Sequence, residues 1–266
     1  MQHSTHTNQL PTHNCPPSKI SRHATTFPQR PYYSFAARGI HLPSGIRRSL
    51  LIQWEVKADT VSLIKMLTSQ QITHLHDQAT LDWHQAPPAP NPSAPAPDAP
   101  LLELALAHHR ANFDLWHEED KAREPDVSDA AITAVKHAID ALNQRRNDLV
   151  ELIDHRLLEA AGQQNPAAPL HSESPGLIVD RLSILALKLY HTAEESHRTL
   201  AGDAHCQKNL ARLNLLTEQR DDLACCFDQL WQQVLAGKRR FKLYRQLKMY
   251  NDPELNPAVY SHKTCA

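Results

Sequence analysis

Two arginines stand where apolar residues are due. Arg146 falls between Leu142 and Leu149 on a run at 3-4 spacing that includes Ile132, Val135, Ile139 and Ile153. Arg220 interrupts a second run, Leu213, Leu223, Phe227, Leu230 and Val234. A guanidinium keeps its charge in a core, so acidic groups or an anionic ligand should face each one. Four clusters can supply partners. In Asn112-Phe-Asp-Leu-Trp-His-Glu-Glu-Asp120, the residues Asn112, Trp116, Glu119 or Asp120, and Arg123 align on one helical face, with His117 beside them. The others are Asn143 to Asp148, the pair Asp180-Arg181, and His191 with Glu194, Glu195 and Arg198. A helical bundle can bring all four to one level of its axis. The candidate ligand-binding set is therefore Asn112, Trp116, His117, Glu119, Asp120, Arg146, Asp148, Asp180, Arg181, His191, Glu195 and Arg220. Its chemistry would be capture of a small anionic metabolite by Arg146, Arg181 and Arg220, with the carboxylates as counter-groups. The competing reading is a set of buried structural ion pairs.

Other chemistries find less support. Glu194 and His197 have the Glu-x-x-His spacing of di-iron bundles, but no second copy occurs. His117 with Glu118, Glu119 and Asp120 lacks His-Glu-x-x-His spacing, so neither a metal centre nor a cofactor is expected. GxSxG, GxGxxG and the Walker loop are all missing from a chain with only six glycines. Hydrolase, kinase and dehydrogenase scaffolds are thereby disfavoured, and whether the protein is an enzyme stays open.

The elements that must position these residues can be traced. Residues 1–50 hold six prolines and five histidines without lasting periodicity, and residues 1–65 are expected to be disordered, either as an extension of the protein or as sequence translated ahead of the true start codon. From Met66, Thr68 and Gln71 form a capping box, and Ile72, Leu75, Ala79 and Trp83 share a face, giving a helix over 66–84. Residues 85–100 contain seven prolines and five alanines and read as a polyproline-like linker, mobile and protease-sensitive. Helices then follow over 101–124, over 129–161 after the Ser128 cap, from Ser174-Pro175 to about 199, from about 205 to Gly237, and over 238–250. The fold class is all-α, an antiparallel bundle of long helices spanning 101–260.

Charge is divided unevenly along the chain. Residues 1–65 carry eight Lys/Arg against two Asp/Glu, a net +6; the remaining 201 residues carry 20 against 27, a net −7. An acidic body argues against nucleic acid as a partner, although Lys238 to Tyr250 places six Lys/Arg among Phe241, Tyr244 and Tyr250. Docking of Phe241, Tyr244 and Leu247 on the bundle is the simpler account of that segment. No run approaches the roughly 20 apolar residues of a membrane span, and no secretory signal opens the chain. Five cysteines without CxxC spacing suit a reducing cytoplasm, with Cys225 and Cys226 as buried thiols.

Five motifs in this order, NFDLWHEED, IDALNQRRNDLVELID, SESPGLIVDRLSILALKLYH, LTEQRDDL and FKLYRQLKMYNDPELNP, resemble the bacterial family catalogued as domain of unknown function 4254, over about residues 101–260. The resemblance implies an all-helical cytosolic bacterial protein without an established activity, loosely associated with glycosyltransferase neighbours, and it carries no catalytic residues over. The functional expectation is thus a small anionic, sugar-linked metabolite bound at the polar level of the bundle. The alternative is a noncatalytic interaction module beside cell-envelope glycan enzymes, working through a protein partner or a homo-oligomer.

Overall fold

Local signals set the helix ends. In the computed structural model, which describes residues 64–88, 94–125, 127–245 and 254–257, five long α-helices follow one another: α1 Ser69–Gln85, α2 Leu101–Lys121, α3 Asp129–Ala161, α4 Pro175–His197 and α5 Asp203–Leu235. Thr68 opens α1 with the reciprocal capping box to Gln71. Ser128 and Ser174 cap α3 and α4 through their hydroxyls, and Pro175 occupies the first turn of α4. Gly162 and Gly237 end α3 and α5 at φ of 68° and 66°, a conformation that costs a Cβ-bearing residue. A 3₁₀ turn, Thr199–Ala201, joins α4 to α5.

Short connections between extensively packed helices make two antiparallel pairs, α2 with α3 and α4 with α5. α4 lies at the centre, touching all four other helices. It is also the most apolar, and it buries Ile178, Val179 and Leu182 in one core with Leu104 of α2, Ile153 and Leu157 of α3, and Phe227, Leu230 and Trp231 of α5. α1 completes the bundle with Ile72. Among the described residues there is no strand, only an isolated bridge. At about 1.5 Å per residue, α3 and α5 run about 50 Å and α4 about 35 Å. The long helices therefore outreach their partner, which is why Ile132 of the expected α3 seam is 39% exposed.

Several expectations change. The segment from Lys238 is not helical through Arg245: after Gly237 the amides of Lys238 and Arg239 donate back to Gln233 O, and Arg240 pairs as a parallel bridge with Leu170. Phe241 is buried and exchanges both backbone bonds with the Gln164 amide, so tertiary pairing overrides helix propensity. Tyr244 is exposed, and Leu247 and Tyr250 lie outside the described residues. Ile64, ahead of Met66, belongs to the core, and its carbonyl accepts from Trp231 Nε1 at 3.2 Å. The rest of the expected disordered extension, residues 1–63, lies outside the described residues, as do 89–93 of the linker. The linker's described end is docked: Ala99 is buried, and Pro95 and Ala96 wall a cavity with Trp83 and Arg110. Cys225 and Cys226 are exposed rather than buried: Cys225 falls off the seam of Leu223 and Phe227, and Cys226 lines an open groove between α4 and α5 beside Leu223.

Candidate functional site

α2 carries polar and aromatic residues at four-residue intervals on its inner face: His108 with Asn112 and Trp116, and His109 with Phe113 and His117. Packed against α4 and α1, that face forms a buried polar seam. Asp180 Oδ1 accepts from His108 Nε2 at 2.9 Å and from Asn112 Nδ2 at 3.0 Å, and Arg146 Nε of α3 lies 3.3 Å away. The seam continues through Ser183, which accepts from Asn112 Nδ2 at 2.9 Å and donates to His109 Nδ1 at 2.8 Å. His109 Nε2 then donates to Thr80 Oγ1 at 2.9 Å, and Thr80 donates to His76 O at 2.8 Å. This order of donors fixes His109 as the neutral Nε2–H tautomer. Burial, reinforced by the neighbouring His108, lowers the His109 pKa to about 3, and burial with His109 and His108 nearby holds His76, stacked on His109 at 4.5 Å, well below its usual value. For Asp180 burial pushes the pKa up, but the His108 bond and charge, Arg146 and Asn112 outweigh it and hold the carboxyl below its usual range.

At the outer end of the seam is a cavity of about 310 Å³, lined by Asn112, Leu115, Trp116, Glu119, Asp120, Arg123, Arg146, Ile184 and Leu187. Five of the sequence candidates, Asn112, Trp116, Glu119, Asp120 and Arg146, thus meet at one wall, with Asp180 directly behind. Two features of this wall bear on ligands. Arg146 forms its ion pair with Asp180 through Nε, which is buried and outside hydrogen-bond geometry, and its terminal nitrogens make no ion pair among the described residues. Asn112 makes all its described contacts, to Asp180, Ser183 and His108, through Nδ2, which leaves Oδ1 buried without a partner. Glu119 pairs with Arg123 at 3.1 Å at the mouth.

The other candidates are placed elsewhere. His117 and His191 stand beside the cavity, and His191 stacks on Trp116 at 5.0 Å. Arg181 pairs with Glu173 at 3.0 Å and lines a separate groove between α4 and α5. Asp148 is exposed and accepts from Gln144 of its own helix. Glu195 binds Arg198 and His205 at the end of α4. Arg220 is paired as required, but with Asp77 of α1 at 3.0 Å rather than with Asp180, Glu195, Asp148 or Glu119, because its face of α5 is turned toward α1. Sequence reasoning missed His76, Thr80, His84, His108, His109 and Ser183. A signal for the first five was present, since 76, 80 and 84 share one face of α1 as 108, 109 and 112 do one of α2.

No helix among the described residues is long and apolar enough to cross a membrane. No curated protein and no solved structure matches the chain. A family model described as a protein of unknown function, DUF4254, matches residues 102–243, which covers α2 to α5 and the residues that line the cavity and its seam apart from those of α1. Over half of the chain is matched, and the protein belongs to that family.

Proposed function

We propose that this protein binds a small anionic, hydroxyl-bearing metabolite of the sugar-phosphate kind in the cavity at Arg146. One observation carries the reading. Arg146, whose terminal nitrogens pair with nothing among the described residues, and Asn112, whose buried Oδ1 has no partner, line the same 310 Å³ space. The guanidinium offers paired donors to an anion, Asn112 Oδ1 and the carboxylates of Glu119 and Asp120 accept from hydroxyls, and Trp116 supplies an apolar face. Asp180, held ionised, fixes Arg146 in advance and so lowers the ordering cost of binding.

Arg146→Met is the test, because Asp180 keeps His108 and Asn112 as partners and the fold should survive. Wild-type protein is expected to retain a metabolite in native mass spectrometry and to melt higher with a hexose 1-phosphate, by an amount that grows with its concentration. The variant should melt within a few degrees of the unliganded wild type and lose both responses. Equal retention by the two proteins would remove Arg146 from the site, and no response in the wild type would remove the site.

The interaction-module reading draws on a different feature. Leu210 and Leu215 of α5 and Ile132 of α3 are 44%, 54% and 39% exposed. Light scattering decides it: a stable dimer that Leu215→Glu converts to monomer would favour that reading.

A further inference from the structure

Next to the cavity, three histidines from three helices converge: His84 of α1, His117 of α2 and His191 of α4, with one ligand nitrogen from each lying within 4.8 Å of the others. Their remaining nitrogens are all committed. His84 Nδ1 donates to Thr80 O at 2.7 Å, His117 Nδ1 to Phe113 O at 2.8 Å, and His191 Nδ1 to the Glu194 carboxylate at 3.0 Å. A carbonyl or carboxylate can only accept, so each Nδ1 carries the proton and each Nε2 carries a lone pair. Nε2 of His84 and of His191 is buried without any partner. Two buried ring nitrogens without a partner, on histidines whose ligand atoms converge, are an unfavourable arrangement for side chains that merely pack.

We infer that His84, His117 and His191 form a three-nitrogen site for a divalent transition metal of the zinc class. Imidazole nitrogens suit Zn²⁺, and a second hydrogen bond from the far ring nitrogen to a carbonyl or carboxylate is the usual support of a metal-binding histidine. Zn–N bonds of about 2.0–2.1 Å in a tetrahedron need nitrogens about 3.3 Å apart, which a contraction on the order of 1 Å supplies. Tyr190, stacked on His84 at 4.1 Å, and Trp116, stacked on His191, set the planes of the rings. His84 and His117 also face a second cavity of about 580 Å³, so the fourth position would be open to water or to a ligand atom, as in a catalytic rather than a structural site. The site stands independently of the metabolite reading, although Trp116 adjoins both.

The experiment uses the full chain stripped with chelator, with Zn²⁺ alone as titrant in calorimetry and Co²⁺ as the optical probe. One tight equivalent and the strong visible bands of four-coordinate Co²⁺ are expected. Since the chain has 18 histidines, weak surface binding is separated by His117→Gln, which should lose the tight equivalent and the Co²⁺ bands while leaving any weak binding in place. Glu194→Gln, at an exposed carboxylate that touches no metal, guards against a folding defect. It should leave the melting temperature of the metal-free protein unchanged and weaken Zn²⁺ about 10- to 100-fold. No tight equivalent in the wild type, or the same affinity in wild type and Glu194→Gln, would overturn the assignment.

Discussion

Asp154 and Gly176 show how much one close approach determines. The Asp154 carboxylate, buried on α3, accepts from the Ser174 hydroxyl and from the Gly176 amide at 2.6 Å, and so takes up two donors at the buried start of α4. The approach is possible only because residue 176 has no side chain: a Cβ there would lie 2.7 Å from Asp154 Oδ1 and 2.9 Å from Val150 O. Backbone cannot swing aside as a long side chain can. Gly176→Ala should therefore destabilise by about 1–3 kcal/mol even though Ala is the better helix former, and urea denaturation would measure it. A neutral or stabilising result would mean that α3 and α4 can separate without loss. The same economy governs the site, where Arg146 interrupts its seam because its guanidinium reaches Asp180 from the rim with 26% of the side chain still exposed.

Helix ends were legible because each depends on a few neighbouring residues. Thr68 with Gln71, Ser128, Ser174-Pro175 and Gly162 all act where their types require. Lys238 to Arg245 was not legible as extended chain, because its conformation comes from Pro169, Leu170 and Gln164, about 70 residues away in sequence. The site divides the same way. Asn112, Trp116, Glu119 and Asp120 could be grouped from spacing on one helix, and Arg146 with Asp180 from the charge a seam must neutralise. Arg220 could be foreseen as paired, but its partner depends on where α1 docks. The three converging histidines come from three helices, and nothing in one sequence fixes their distance. The docking of α1 also sets the domain's edge, since Ile64 just ahead of it is 5% exposed and caps the Trp231 indole N–H. Ile64→Ala should cost about 2–4 kcal/mol, read as a lower denaturant midpoint at unchanged slope. A cost below 0.5 kcal/mol, on the order of an ordinary surface substitution, would place the edge at Met66 after all.

At the scale of the whole molecule, the buried polar seam sets the response to acid, and two opposing effects must be weighed. His76 and His109 are neutral in the fold, with pKa values held below the unfolded 6.5, for His109 at about 3. Between these limits the unfolded chain binds more protons, so stability is present above pH 6.5 and is lost as pH falls. Asp154 acts in the other direction: burial, only partly offset by Ser174 and Gly176, raises its pKa to about 6 from 3.8, so the fold binds more protons between those values and stability falls as pH rises. At about 1.36 kcal/mol per pH unit, acidification from 6.5 to 4 costs roughly 3 kcal/mol at His109 and returns about 3 kcal/mol at Asp154. His76, lowered in the same direction, tips the balance toward loss of stability, and the two histidine charges would repel each other across a 4.5 Å stack. Urea denaturation at pH 7, 5.5 and 4.5 should therefore show stability falling steeply with acid. His109→Gln, which cannot take up a proton but can still bond Ser183 and Thr80, should start lower at pH 7 and fall less steeply, its curve converging on the wild type near pH 4.5. Parallel curves would mean that His109 stays uncharged for no energetic cost, and that acid acts on the bundle somewhere other than this seam.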